Sequence, residues 1–237
     1  MFVNNMDNLA LKQRRKWGID DYSPLNIFSI VLDKVDNITI QWLEMDQYIS
    51  GCCSKNSTDY LLLINSTHSK GRQNFTLAHE LYHLFHEKSD EWIVCTDYSS
   101  TTESEINANN FASSLLMPNC ALFDYMTRNN IEKWDLKDII KCEQFFQISH
   151  SYLLNRLKSE DLLSHDEFIE FKPNIIKNSR NLGFDKELYE PSPSNKRFYS
   201  LGAIIPLTEE VYKKNKISKG MHDEIFIRNF RADIIYK

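Results

Sequence analysis

The pattern of apolar and polar positions changes twice along the chain. In the first third, short runs rich in β-branched and aromatic residues alternate with polar turns, which predicts strands at 38–43, 48–53 and 60–64. Their close succession indicates an antiparallel meander. From about residue 69 to residue 158, apolar positions recur every three or four residues, which is typical of helices. The chain therefore predicts an α+β fold, with a small antiparallel sheet followed by a helical segment.

Proline and capping residues mark the remaining boundaries. Ser23 and Pro24 predict the N-cap and the first turn of a short helix. The stretch that begins at Pro173 opens with Asn, carries Pro191 and Pro193 and ends in a helical pattern. The predicted organisation has three parts: a main domain at 1–172, a helical subregion within it at 126–172, and a C-terminal appendage of unknown role at 173–237.

Composition limits the classes of protein that fit the chain. Its 237 residues carry a formal net charge of −5, which argues against a surface built to bind nucleic acid. No apolar run approaches the roughly 18 residues of a membrane span, and the basic N-terminal residues are not followed by the apolar segment of a secretory signal. The five cysteines are odd in number and form no Cys-x-x-Cys pair, which predicts free thiols in the cytoplasm.

The first candidate for chemistry is a His-Glu-x-x-His pattern at His79, Glu80 and His83, within a predicted helix. A separation of four residues places both imidazoles on one helical face, where both can reach a single cation. Glu80 then lies beside the cation as general base for a water molecule rather than as a ligand. Such a pentapeptide also occurs on solvated helix faces, so the pattern alone leaves a metal site and a surface histidine pair open.

A catalytic zinc needs a third protein ligand and an open position. The next predicted helix supplies Glu105, and Asn109 follows one turn later, where it can hydrogen-bond a ligating histidine. Glu103 is the rival ligand, but it lies two residues away and points elsewhere. The predicted metal ligands are thus His79, His83 and Glu105. Two imidazoles and a carboxylate bind Zn²⁺, and they also accept manganese, iron or cobalt.

Three further residues near these motifs have competing interpretations. His86 shares a helical face with His79, but once Glu105 fills the third position we expect His86 to be an imidazole at the edge of the cleft. His150 and Tyr152 are candidates for the group that donates a hydrogen bond to a developing oxyanion. Core or surface roles are the alternative for both.

These motifs resemble those of the ImmA/IrrE family of zinc metallopeptidases. The match comprises residues 72–83, then Glu105-x-x-Ala108-Asn109-x-Phe111-Ala112, and the Leu-Leu-Met-Pro run at 115–118. Two separate motifs agree in type, order and spacing, and a looser similarity extends over about residues 5–160. Asn107 stands where many members carry an acidic residue, a position outside the ligand set.

The resemblance implies a zincin-like endopeptidase of bacteria or their mobile genetic elements, with a zinc cofactor. Members of the family cleave helix-turn-helix repressors of the Xre type and so relieve transcriptional repression. An alternative from another class is a zinc-stabilised partner or antitoxin-like module that holds a repressor or toxin without cutting it. Glu80 favours catalysis, because a purely structural zinc site has no use for a carboxylate beside an open position.

Two surfaces for macromolecular partners follow from the pattern. Residues 135–163 outline two helices and a short turn, as in a helix-turn-helix motif, but the segment 131–163 carries five basic and six acidic residues, which favours protein contacts over phosphate binding. The basic run at 12–16 is interpreted as a solvated helix face. Peptidases of this shape commonly bind substrate as an added strand, and 48–54 is the predicted edge of the sheet.

Overall fold

The computed structural model describes residues 5–87, 93–96 and 102–236, with only the backbone described at 93–96. The α-helices in these ranges are α1 (Asn5–Lys16), α2 (Ile27–Lys34), α3 (Lys70–His86), α4 (Glu103–Leu116), α5 (Asn119–Arg128), α6 (Leu136–Phe146), α7 (His150–Ser159), α8 (His165–Phe171), α9 (Ile175–Asn181), α10 (Ile204–Lys213) and α11 (Lys219–Arg228). The strands are β1 (Ile38–Leu43), β2 (Ile49–Lys55), β3 (Tyr60–Asn65), β4 (Ile93–Thr96) and β5 (Tyr199–Gly202).

The strands of the described ranges form one five-stranded sheet in the order β4-β2-β3-β1-β5. The predicted α+β class is confirmed. The sheet is mixed, however, since β1 and β3 are parallel, with Ile38 opposite Tyr60. The predicted antiparallel meander is wrong because β3 inserts between the two strands that precede it, which places β1 beside β3 rather than beside β2.

Strand β2 lies inside the sheet and is not an edge. It pairs antiparallel with β3 on one side and with β4 on the other, so that Gly51 lies opposite both Ile64 and Cys95. Both rows of its backbone groups face a neighbouring strand, which leaves no room for a substrate strand to pair there. The predicted edge at 48–54 is therefore wrong. The neighbour that covers it, β4, is only four residues long and follows α3 in the chain.

Helix α3 lies against the sheet and is buried over most of its length. Leu77 and Leu81 are fully buried on its core side. The approach to β2 is close, because a Cβ atom built at Gly51 would lie 2.7 Å from the Thr76 methyl group and 2.8 Å from the Leu63 carbonyl oxygen. Glycine at position 51 thus allows the sheet to approach the helix that carries the His-Glu-x-x-His pattern.

The basic run in α1 is only partly solvated. Arg14 is fully buried, and its guanidinium donates to the backbone carbonyl oxygens of Leu115, Asp20 and Ser23, at 2.7, 2.8 and 2.5 Å. Leu115 belongs to the last turn of α4, whose carbonyl groups have no partners within the helix. The interpretation of the run as a solvated face is wrong for Arg14, because long-range packing of α1 on α4 surrounds this side chain.

The second helix begins later than predicted. Asn26 is the N-cap of α2, and its side chain accepts a hydrogen bond from the backbone N–H of Ser29. The hydroxyl group of Ser23, the predicted cap, donates instead to the carboxylate of Asp20. The Ser23-Pro24 pair therefore belongs to the turn before the helix.

The C-terminal segment contributes to the same sheet. Strand β5 pairs antiparallel with β1, so that Tyr199 lies opposite Trp42. The backbone of Lys70, at the start of α3, donates to the carbonyl of Glu190 at 2.9 Å. Nearby, Leu188 is 3% exposed. These contacts connect the segment predicted as an appendage to both the sheet and α3.

Two expectations from composition can be compared with the described part of the chain. None of its helices is both long enough and apolar enough to cross a membrane. The side chains of Cys52, Cys53, Cys120 and Cys142 are free thiols. The side chain of Cys95 lies outside the described residues.

Deleting residues 173–237 should destabilise the rest of the chain. The deletion uncovers the edge of β1 and the contacts of Leu188, a loss of about 3 kcal/mol or more from one buried leucine and several backbone hydrogen bonds. Thermal unfolding followed by circular dichroism should then show a melting temperature lower by roughly 6–12 °C.

The matched control is deletion of 204–237, which keeps β5 and the contacts at the start of α3. We expect a clearly smaller decrease for it. Equal melting temperatures for the full chain and the chain ending at residue 172 would show that the C-terminal segment is an independent unit.

Candidate metal centre

Three predicted ligands meet where α3 packs against α4. The Nε2 atoms of His79 and His83 lie 3.1 Å apart. Glu105 completes the group, with one carboxylate oxygen 3.2 Å from His79 Nε2 and the other 3.6 Å from His83 Nε2. Both histidines are buried and Glu105 is partly exposed, so the group lies just beneath the surface.

Local sequence explains how each helix presents its ligands. The four-residue spacing in α3 stacks His79 over His83 on one face. Helix α4 begins at a Thr102 N-cap, whose side chain accepts a hydrogen bond from the backbone N–H of Glu105. A carboxylate in the first turn is favoured by the positive end of the helix dipole, so Glu105 sits where its charge stabilises the helix.

The hydrogen bonds of the other ring nitrogens determine which atoms the cluster presents to a cation. His79 Nδ1 lies 2.9 Å from the amide oxygen of Asn109, the contact predicted from the sequence. His83 Nδ1 lies 2.9 Å from a carboxylate oxygen of Glu87. Both partners are acceptors, so each Nδ1 carries the proton and each neutral ring turns the lone pair of Nε2 toward the centre. Two lone pairs and a carboxylate that face one point favour binding of a cation between them.

The spacing of the donor atoms fits a tetrahedral ion. Zinc bonds of about 2.0–2.1 Å imply ligand atoms about 3.3 Å apart along each edge of the tetrahedron. The three measured separations, 3.1, 3.2 and 3.6 Å, are close to this value. Imidazole nitrogen and carboxylate oxygen are also the donors that zinc prefers. The residues present therefore fit a divalent ion with three protein ligands.

The protonation of the cluster follows from the same contacts. Burial acts to lower the pKa of His79, but its hydrogen bond with Glu105 and the carboxylates of Glu80 and Glu105 outweigh burial and raise that pKa. The hydrogen bond with His79 in turn lowers the pKa of Glu105. Metal ligation requires the neutral imidazole, so binding of a cation competes with protonation of His79.

Glu80 lies on the sheet side of α3. Its side chain is fully buried, and a Cβ atom built at Gly51 would lie 3.3 Å from its Oε1. The thiol of Cys53, two residues further along β2, lies near this carboxylate. Burial, followed by the charge of Glu80, raises the pKa of Cys53 well above its ordinary value, so the thiol stays protonated.

Comparison with known proteins identifies the family. A family model described as the IrrE N-terminal-like domain, peptidase M78, matches residues 36–158, just over half of the chain. The chain belongs to this family. The matched segment contains β1, α3 and α4, and with them all the residues of the candidate centre. A search of curated proteins gave no match.

Membership confirms the resemblance stated from the motifs and supports a metallopeptidase-type function for this M78 peptidase. The three converging side chains occur at the positions that the sequence predicted as ligands. The peptidase assignment thus agrees with a cluster whose donor atoms fit a divalent ion.

The sequence analysis missed one partner of the metal centre, Glu87. One of its carboxylate oxygens accepts from His83 Nδ1, and the other accepts a hydrogen bond from the hydroxyl group of Ser104 on α4. Glu87 therefore fixes the ring of His83 and connects the two helices beside Glu105. The four-residue spacing from His83 to Glu87 was the available signal, since such pairs face each other on a helix, but Glu87 lies just past the end of α3.

Two residues weighed as ligands do not join the cluster. His86 lies apart from the converging donor atoms, and its ring packs on Tyr82 and Phe111, with ring centroids 5.5 and 5.4 Å apart. Burial lowers the pKa of His86 and favours its neutral form. Glu103 is exposed at the first residue of α4 and does not belong to the cluster.

The two candidates for an oxyanion donor have different surroundings. His150 is buried, with one ring nitrogen 2.5 Å from the carboxylate of Glu143 and the other 3.0 Å from the carbonyl oxygen of Phe171. Neither nitrogen is left to reach a substrate, so the oxyanion interpretation is wrong for His150. The hydroxyl of Tyr152 is 2.8 Å from Ser113 Oγ. An oxyanion role for Tyr152 stays a prediction.

Replacing Glu87 by alanine should weaken metal binding by about 10- to 100-fold, the usual effect of losing a carboxylate that orients a ligating histidine. The measurement is zinc affinity by competition with a chelating dye, using the folded protein. Glu87→Gln is the matched control, because its amide oxygen still accepts from His83 Nδ1. We expect it to retain most of the affinity. Wild-type affinity in Glu87→Ala would show that the bridge to Ser104 has no role in metal binding.

Proposed function

We propose that this protein is a zinc-dependent endopeptidase and that its substrate is an Xre-type helix-turn-helix repressor. The M78 family supports the metallopeptidase class. The observation that supports zinc as the cofactor is the convergence of two imidazole lone pairs and a carboxylate within 3.6 Å of one another. His79, His83 and Glu105 would hold the ion, which when bound polarises a peptide carbonyl and lowers the pKa of water.

Glu80 supplies the proton transfers in this proposal. Hydrolysis of a peptide bond requires that the attacking water lose a proton and that the leaving amide nitrogen gain one. The carboxylate of Glu80 takes the first proton as the water oxygen bonds to the carbonyl carbon, and it delivers a proton to the nitrogen as the C–N bond breaks. Complete burial of Glu80 keeps competing bulk water away from this carboxylate.

The remaining protein groups orient the site. Asn109 and Glu87 each accept a hydrogen bond from Nδ1 of one histidine, which fixes both rings with Nε2 inward. The protonated thiol of Cys53 lies near the carboxylate of Glu80 on the β2 side. These contacts hold ligands and base in place before substrate enters, as preorganised catalysis requires.

The substrate class rests on the motif resemblance described above. Cleavage of an Xre-type repressor would relieve transcriptional repression in the cytoplasm of a bacterium or through a mobile genetic element. The charge balance of the α6–α7 segment favours protein contacts there, which agrees with a protein substrate and with no direct binding of nucleic acid.

The purified protein should carry one divalent metal ion per chain. His79→Ala, His83→Ala and Glu105→Ala should each lose the ion, because two remaining protein ligands do not hold zinc tightly. His86→Ala is the control and should keep it, since its ring packs on Tyr82 and Phe111. Elemental analysis measures the metal content. Full metal content in Glu105→Ala would show that another residue is the third ligand.

Glu80→Gln should retain fold and zinc but lose turnover by roughly 10²- to 10⁴-fold, the usual contribution of a positioned acid or base. Glutamine keeps the size of the side chain and one acceptor oxygen but cannot take the proton of the water. The measurement is incubation of the zinc-loaded protein with the helix-turn-helix repressor encoded nearest to its gene, followed by mass spectrometry of fragments.

The non-cutting binding module predicts a different result. In that case wild type and Glu80→Gln bind the repressor alike, and neither produces fragments. Equal cleavage by both proteins would point to a different base or a contaminating protease. Relief of repression in cells by Glu80→Gln at the wild-type level would contradict the catalytic role of Glu80.

A further inference from the structure

One face of strand β2 follows helix α3 from its middle to its end. Alternate residues of a strand point to the same side, so Gly51, Cys53 and Lys55 form one row. Gly51 lies against Thr76 and Glu80, and Cys53 lies near Glu80. From residue 51 to residue 55 the strand advances about 13 Å, and eight helical residues advance about 12 Å. The end of the strand therefore comes level with the last turn of the helix.

Lys55 contacts this last turn through the backbone. Its ammonium group donates to the carbonyl oxygen of Leu84 at 2.9 Å and to that of Glu87. The last carbonyl groups of a helix have no partners within the helix, and they form the negative end of the helix dipole. A lysine that donates to them satisfies these acceptors and stabilises the end of the helix.

Glu87 is held by these contacts beside a metal ligand. It lies just past the last residue of α3 with extended backbone. Its N–H group donates to the carbonyl oxygen of His83 at 3.3 Å, and its own carbonyl oxygen accepts from Lys55. Its carboxylate accepts from His83 Nδ1, at 2.9 Å, and from the hydroxyl group of Ser104. Fixing the backbone of Glu87 on both sides directs its carboxylate to the ring of His83.

The turn that follows Lys55 is ordered by its own hydrogen bonds. The side-chain oxygen of Asn56 accepts from the backbone N–H of Asp59 at 2.8 Å, and the N–H of Asn56 donates to the carbonyl of Asp59 at 3.0 Å. Opposite Lys55 in the sheet, Tyr60 places its ring edge-on against Phe85, with centroids 6.2 Å apart. The hairpin formed by β2 and β3 thus grips the last turn of α3 at two points.

We propose that Lys55 is a positioning residue of the metal centre, which fixes Glu87 and through it the ring of His83. The path runs from the ammonium group to the backbone of Glu87 and from the carboxylate of Glu87 to His83 Nδ1. A held Nδ1 keeps Nε2 turned toward the ion. This inference rests on the proposed zinc site, since the orientation of His83 matters there only if Nε2 binds an ion.

Lys55→Met tests the role through zinc affinity. Methionine keeps most of the aliphatic stem but cannot donate to the two carbonyl groups. Zinc affinity, measured by competition with a chelating dye, should fall by about three- to tenfold, less than for Glu87→Ala, because Lys55 acts through Glu87. Lys55→Arg restores a charged donor and should keep the affinity within about twofold of wild type.

A double-mutant cycle separates positioning from general stabilisation. In the Glu87→Ala background, Lys55→Met should leave zinc affinity unchanged within about twofold, because no carboxylate remains to be positioned. The backbone carbonyl groups of residues 84 and 87 are still present in that background. The melting temperature of the zinc-free protein should therefore fall by the same amount when Lys55→Met is added to either background.

Lys70→Met is the matched control at the other end of α3. Its ammonium group pairs with Glu187 at 2.7 Å, remote in sequence from the ligands. We expect wild-type zinc affinity for this variant. If Lys55→Met does not fold, Lys55→Gln provides the same cycle, because its shorter amide removes the charge and retains a polar group. Circular dichroism verifies the fold of each variant.

Three results would overturn the role of Lys55: unchanged zinc affinity in a folded Lys55→Met or Lys55→Gln protein, an equal loss of affinity in the Glu87→Ala background, or an equal loss in Lys70→Met. The proposed function fails in a different way. Wild type that binds no zinc would overturn the metal site itself and the role of Lys55 with it. Wild type that binds zinc and shows the expected cycle, but never cuts the repressor, would retain Lys55 as a positioning residue and remove the peptidase.

Discussion

Two imidazole lone pairs and a carboxylate lie within 3.6 Å of one another because α3 packs against α4. Such a cluster is unfavourable without a proton or a cation, since its donor atoms repel one another in a largely buried site. The surrounding fold must therefore hold it together. Asn109 and Glu87 fix the rings from the outside, and the bridge from Glu87 to Ser104 connects the two helices next to the third ligand.

The sheet completes the centre from the other side. Strand β2 approaches α3 so closely that only glycine fits at position 51, and this approach encloses the carboxylate of Glu80 beneath the sheet. The C-terminal segment extends the same sheet through β5 and contacts the start of α3 at Lys70. Helix α3 is thus fixed along its length by parts of the chain that are distant in sequence, which is the rigidity that a preorganised site needs.

Membership of the M78 peptidase family and the geometry of the cluster point to one chemistry, metal-assisted hydrolysis of peptide bonds. Because β4 pairs with β2, the strand that the sequence predicted as an edge lies inside the sheet.

The sequence by itself determined the α+β class and the positions of the converging side chains, because helical periodicity is local. Four-residue spacing alone places His79 near His83 and Glu105 near Asn109. Only the tertiary structure decided the insertion of β3, the burial of Arg14 and the bridge through Glu87. Each of these depends on which distant segments meet: the order of strands in a sheet, the packing of α1 on α4, and a side chain just past the end of a helix. Local pattern carries no information on such pairings, since they are fixed by the burial of the whole core.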